Sequence, residues 1–212
     1  MWLELSIKSL FYMYYINFSI NYGRESMLYI IGGASRSGKT TVAKRILEET
    51  KISYFSLDYL MMGIAEGAPE LAVNPTEEDI KTAKRMWKII DPLMRAMIEN
   101  KIDYVIEGVQ LVPSYLSKFE QDYLGKVKLC FIGKAEIDVQ NSIDEIKFYS
   151  SKTENDRFED FNHRETVSEL IRIKTDSIRI REECEKYNLR YFDSSFSFNK
   201  IIDSILFYLK SY

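Results

Sequence analysis

The run "IIGGASRSGKTT", residues 30 to 41, sets three glycines, a lysine and two threonines directly behind the apolar stretch "MLYII". A strand that ends this way frees its backbone for something that side chains would obstruct. From Gly33 to Thr40 the spacing is G-x-x-x-x-G-K-T, which curves backbone amides inward around an anion. The glycines permit the curve, Lys39 supplies a point charge, and Thr40 supplies a hydroxyl for a magnesium ion, Mg2+. The following "KTTVAKRILEETK" reads as an amphipathic helix with Val42, Ala43, Ile46 and Leu47 on one face, its positive N-terminus aimed at the same anion. The candidate nucleoside-triphosphate set is Gly33, Ser35, Arg36, Ser37, Gly38, Lys39, Thr40 and Thr41. Before ligand arrives, Lys39 is expected to stand exposed to the site.

With 212 residues, 46% of them hydrophobic, the chain suits one domain with a small lid. A net charge of −3 without a long Lys/Arg run speaks against a nucleic-acid partner. Cys130 and Cys184 sit in apolar-periodic segments with neither metal-ligand nor redox spacing, so they read as buried free thiols of a reducing cytoplasm. One histidine, His163, is too few for a His-based metal site. Chemistry falls to carboxylates, lysines, arginines and bound metal.

Residues 1 to 26 differ from the rest. Their aromatic stretch "LFYMYYINFSI" is too short to span a bilayer and is interrupted by Asn17 and Ser19, and no secretory pattern accompanies it. The expectation is no membrane partner. Two readings stand for this extension. Either Met27 is the true start, "GRES" being encodable by codons that resemble a ribosome-binding site, or a real helix or strand packs on a domain of residues 27–212.

Beyond the glycine-rich loop the chain alternates. Strands are expected near 52 to 56, in "DYVIEG", in "KVKLCFIG" and in "LRYFD". Between them, "MMGIAEGAPELAVNP" reads as irregular or partly helical, and a long helix opens at "NPTEED" with Asn74 as cap and Pro75 in the first turn. A short helix starts at Pro113 and stops at Gly125, residues 135 to 150 read as helical, and a helix over about 165 to 187 turns Val167, Leu170, Ile171, Ile178 and Cys184 inward. "NKIIDSILFYLK" closes the chain. Such alternation implies an α/β fold, a parallel sheet with helices on both faces and ligands at the carboxyl ends of the strands.

Gly33, Asp58 and Glu107 all fall at that end. Phosphoryl transfer needs one group to orient or deprotonate an acceptor hydroxyl and another to hold metal. Asp58 suits the first role and Glu107, with Thr40, the second. The competing readings are a helix cap for Asp58 and a buried ion pair for Glu107.

"IIGGASRSGKTT", "FSLDYL" and "VIEGVQLVP" together resemble the small P-loop kinases, most of all the 2-phosphoglycerate kinases and their zeta-toxin and chloramphenicol-phosphotransferase relatives. The resemblance implies a three-layer P-loop fold, a five-stranded sheet in the order 2-3-1-4-5, and transfer of the γ-phosphate of Mg-ATP to a small-molecule acceptor by a monomer or homodimer. The 2-phosphoglycerate kinases usually carry histidine where this chain has Gln110, and are larger. Such kinases cover the phosphates with an arginine-bearing lid, which places it near 151–164, with Arg157 and Arg164 as candidates and Arg172 in reserve. A solvated charged face is the alternative for each arginine. Asp193, Ser194 and Ser195 should lie near the adenine. Two rivals stay open: a (d)NMP kinase and an ATP-dependent switch without turnover.

Overall fold

Strand β1, Leu28–Gly33, is buried at every position, as the middle strand of a sheet covered on both faces must be. A computed structural model describes residues 26–150 and 160–211. Around β1 the elements follow as α1 (Lys39–Thr50), β2 (Tyr54–Ser56), α2 (Leu57–Gly67), α3 (Asp79–Glu99), β3 (Tyr104–Glu107), α4 (Pro113–Asp122), β4 (Val127–Gly133), α5 (Ile143–Ser150), α6 (His163–Tyr187), β5 (Tyr191–Asp193) and α7 (Phe198–Lys210). The sheet is parallel throughout, in the expected order β2-β3-β1-β4-β5.

The two-residue period of the strands sorts their side chains into two cores. Leu28, Ile30, Ile106, Leu129 and Phe131 face α3, α4 and α6, while Tyr29, Ile31, Val105, Cys130 and Ile132 face α1 and α7. Each fully buried Leu, Ile or Phe contributes about 1.5–3 kcal/mol of transfer free energy. Cys130 and Cys184 fall in different cores and are free. Burial pushes the Cys130 thiol up to about 12 and raises Cys184 as well. A thiolate-selective reagent should therefore label neither cysteine in the native protein and both in denaturant. Labelling of native protein within minutes would show that one core opens readily.

The stretch after β2 is partly helical, as expected: α2 runs through Gly63 to Gly67 with Leu57 and Ile64 buried in the core, and residues 72–74 are irregular. Several other local expectations are corrected. Helix α3 begins at Asp79 rather than at Pro75. The Asn74 carboxamide instead accepts from the Thr76 amide at 2.9 Å and the Thr76 hydroxyl at 2.8 Å, closing a local turn. Residues 135–142 are not helical, since the Asp138 carboxylate accepts from the amides of Gln140 and Asn141. Helix α6 starts at His163, fixed by a capping box between Asn162 and Glu165. Its buried face runs through Leu170, Ile173, Ser177, Ile180 and Cys184, leaving Ile171 52% exposed and Ile178 half-buried. Leu47 lies at the exposed rim of α1.

Candidate active site

Parallel pairing brings three strand ends to one level. Ile31 stands opposite Glu107, Gly33 opposite Ile132, and Ser56 opposite Glu107. The loop from Gly33 to Gly38 leaves the sheet here. Gly33 has φ +133 and its hydrogen faces the Ile132 carbonyl, so a side chain there would meet backbone. Gly38, at φ +105, ends the loop against the Phe198 ring. Left-handed geometry at those two positions turns the chain back onto α1, whose first residue is Lys39.

Lys39 is not exposed, as the sequence suggested; only 6% of it reaches solvent. Its Nζ donates to the Ala34 carbonyl at 2.7 Å, and the Ser37 hydroxyl donates to the same oxygen at 2.8 Å. The loop folds over its own lysine. Burial pushes the ammonium below its ordinary pKa, while Glu107, Asp58 and Asp79 pull it back up. One helical step on, the Thr40 hydroxyl donates to Glu107 Oε1 at 3.1 Å, and Glu107 is 1% exposed. The structure thus gives Glu107 a hydroxyl partner.

Asp58 lies exposed in the first turn of α2, whose N-cap is Ser56, so it does not cap that helix. Gln110, fully buried, donates its Nε2 to Asp58 Oδ1 at 3.1 Å and approaches Met61 Sδ at 3.3 Å. Asp79, the first residue of α3, completes the group. Burial raises its carboxyl, Asp176 and Asp58 push the same way, and Arg172 and Lys39 oppose them. Arg172 stands within 3.5 Å of Asp79 while donating to Glu169 at 2.6 Å and Asp176 at 3.3 Å.

Sequence reasoning missed Asp79 because it hides in a charged run that read as a helix opening. Gln110 was visible only as a departure from a resemblance. Of the lid arginines, Arg164 is exposed in the first turn of α6, and Arg157 lies outside the described residues, as does most of the expected lid. The Arg36 backbone adopts φ 56 within the loop, and its side chain borders a cavity of about 710 Å³ shared with Lys134, Ile146, Ser194, Phe196 and Phe198.

Ser194 ties that cavity to the loop. Its hydroxyl donates to the Ser37 carbonyl at 2.9 Å and lies 3.0 Å from the Gly133 carbonyl, while Lys134 Nζ donates to its carbonyl at 3.1 Å. Asp193 is turned to bracing, accepting from the amides of Ala135 and Ser195, both at 2.9 Å. Ser194→Ala should leave the Ser37 carbonyl without this donor and cost about 1 kcal/mol. A thermal melt lowered by roughly 2–4 °C is expected; an unchanged melt would mean that the contact ties nothing.

No family model and no curated protein sequence matches the chain. Solved structures do. A gluconokinase from Sinorhizobium meliloti 1021 superimposes with a TM-score of 0.54 at 16% identity, over 88% of this chain and 93% of that one. A sugar kinase from Janibacter sp. HTCC2649 gives 0.52 at 19% identity, over 87% and 94%. A shikimate kinase from Bacteroides thetaiotaomicron gives 0.50 at 12% identity, over 85% and 94%. The chain has the fold of these P-loop kinases, a five-stranded parallel sheet in the order 2-3-1-4-5 between two helical layers. The finer likeness to 2-phosphoglycerate kinases rests on the sequence motifs alone. Among the described residues, no helix is long and apolar enough to cross a membrane.

Proposed function

We propose that this protein is an ATP-dependent phosphotransferase of the reducing cytoplasm that moves the γ-phosphate of Mg-ATP to a hydroxyl of a small metabolite. One observation carries the reading: the glycine-rich loop, Lys39, the Thr40–Glu107 pair and Asp58 share one end of the sheet, coupled through the field at Lys39. The loop amides and Lys39 would hold the phosphates, and the 710 Å³ cavity beside Arg36 and Ser194 would receive the nucleoside.

The donor set fits magnesium. Thr40 and Glu107 offer hard oxygen ligands 3.1 Å apart, and among the described residues no group of three or more His, Cys, Asp or Glu forms a protein cage. A site completed by phosphate oxygens and water needs none. When bound, the ion would neutralise charge growing on the β- and γ-oxygens. Asp58 would take the acceptor hydroxyl's proton as the new P–O bond forms and the bond to the ADP oxygen breaks. Arg157 and Arg164 are assigned to cover the phosphates.

The test is phosphotransfer from labelled Mg-ATP to nucleoside monophosphates, glycerates, sugars and antibiotics. A phosphorylated metabolite is expected. Phosphorylation of monophosphates alone would make the protein a nucleotide kinase, and tight ATP binding without turnover would make it a switch.

A further inference from the structure

The 710 Å³ cavity and the carboxylates lie on opposite sides of the glycine-rich loop. Lys134 follows β4 and Phe196 follows β5, whereas Asp58 follows β2 and Glu107 ends β3. Strand β1, which feeds the loop, pairs with β3 on one side and β4 on the other. A triphosphate seated on the loop with its γ-phosphate toward Asp58 therefore carries its base toward the cavity. The first residues beyond β5 are already engaged there. Asp193 accepts from the amides of Ala135 and Ser195, the Ser194 hydroxyl donates to the Ser37 carbonyl, and the Ser195 hydroxyl accepts from the Glu136 amide at 3.1 Å.

Those bonds fix the loop that presents Phe196, which lines the cavity yet is 65% exposed. Ser197 then takes the left-handed φ 51 and ψ 46, a conformation that a non-glycine residue keeps only where its surroundings impose it. Phe198 is spent on the fold: its ring packs against Gly38, and Lys134 Nζ stands 5.6 Å over it. Phe196 is the ring left to offer a flat apolar face at the cavity. Ile137, Ile146 and Ile173 add an apolar wall. A nucleobase suits such a face, because stacking uses the ring plane and leaves the polar edge in water or on other groups. We infer that Phe196 is the platform on which the base of the bound nucleotide stacks, so that affinity for the nucleoside comes from this ring and not from Asp193 or Ser194. This rests on the kinase reading above.

Full-length protein is titrated calorimetrically with Mg2+ and the β,γ-imido analogues of ATP and of GTP. Phe196→Ala should weaken whichever analogue the wild type binds by roughly five- to hundredfold, the range for losing one base–aromatic stack. Phe196→Leu keeps an apolar side chain without a ring and should fall with the alanine variant. Phe196→Trp should restore the affinity, and its added tryptophan should change fluorescence on nucleotide binding beyond any change in the wild type. Phe196 is exposed, so the melts of all three variants should stay near that of the wild type. Unchanged affinity in Phe196→Ala, or full affinity in Phe196→Leu, overturns the inference while the kinase reading stands. A lowered melt in Phe196→Ala that Phe196→Trp does not restore would assign the ring to the fold and overturns it as well. Wild-type protein that binds neither analogue removes both readings.

Discussion

Mg-ATP at a hundred times its dissociation constant should raise the melting temperature of the wild-type protein by about 5–11 °C and leave that of Lys39→Met unmoved. A ligand specific for the native state stabilises by about 2.7 kcal/mol at that concentration. In a domain of this size each kcal/mol is worth roughly 2–4 °C. Lys39 carries the effect because it is the cation that the loop encloses, with its ammonium at the Ala34 carbonyl and its charge felt by Glu107, Asp58 and Asp79. Methionine is the better test than alanine, since Lys39 is buried and truncation would leave a cavity. The apo melt should barely change. Methionine loses one hydrogen bond but also the cost of a desolvated ammonium, and Ser37 still donates to Ala34. Equal rises in both proteins would remove the loop from the argument.

That lysine shows where sequence stops being legible. The spacing from Gly33 to Thr40 marks which residues can wrap an anion, because glycine placement is local chemistry. It does not say that the loop would close on its own lysine, which depends on the Ala34 carbonyl and the neighbouring carboxylates. The sheet order was legible through the resemblance, and the strands through apolar runs short enough to be buried on both faces. Helix starts were less so. Asn74 has the composition of a cap, yet its carboxamide closes a turn with Thr76, while Asn162 caps α6 with the help of Glu165 three residues on. Glu107 could be read from its place at the end of an apolar strand. Asp79 could not, because its importance comes from α3 being laid beside α6 and Arg172, a contact across many residues of chain. Gln110 is the same kind of case, a buried amide whose meaning is its bond to Asp58.

Asp58→Asn should lower kcat for the phosphorylated acceptor by about 10²-fold while leaving ATP affinity nearly unchanged. Removal of a general base costs on the order of 10²–10⁴-fold. The lower end is expected here because a loose phosphoryl-transfer transition state asks little of a base. Asparagine keeps the oxygen that accepts from Gln110 Nε2, so the α2 start should hold its geometry. Stability should hold too. Asp58 sits exposed in the first turn of α2 and does not cap it, so only a helix-dipole contribution of about 0.3–1 kcal/mol is at stake. Structure and catalysis thus predict separable outcomes. Measuring kcat, ATP affinity and the melt on one preparation tells them apart: a lower melt with full turnover would confine Asp58 to the helix. Full turnover with an unchanged melt would move the base elsewhere on this strand edge, and Asp79, already within the field of Lys39, would be the next carboxylate to replace.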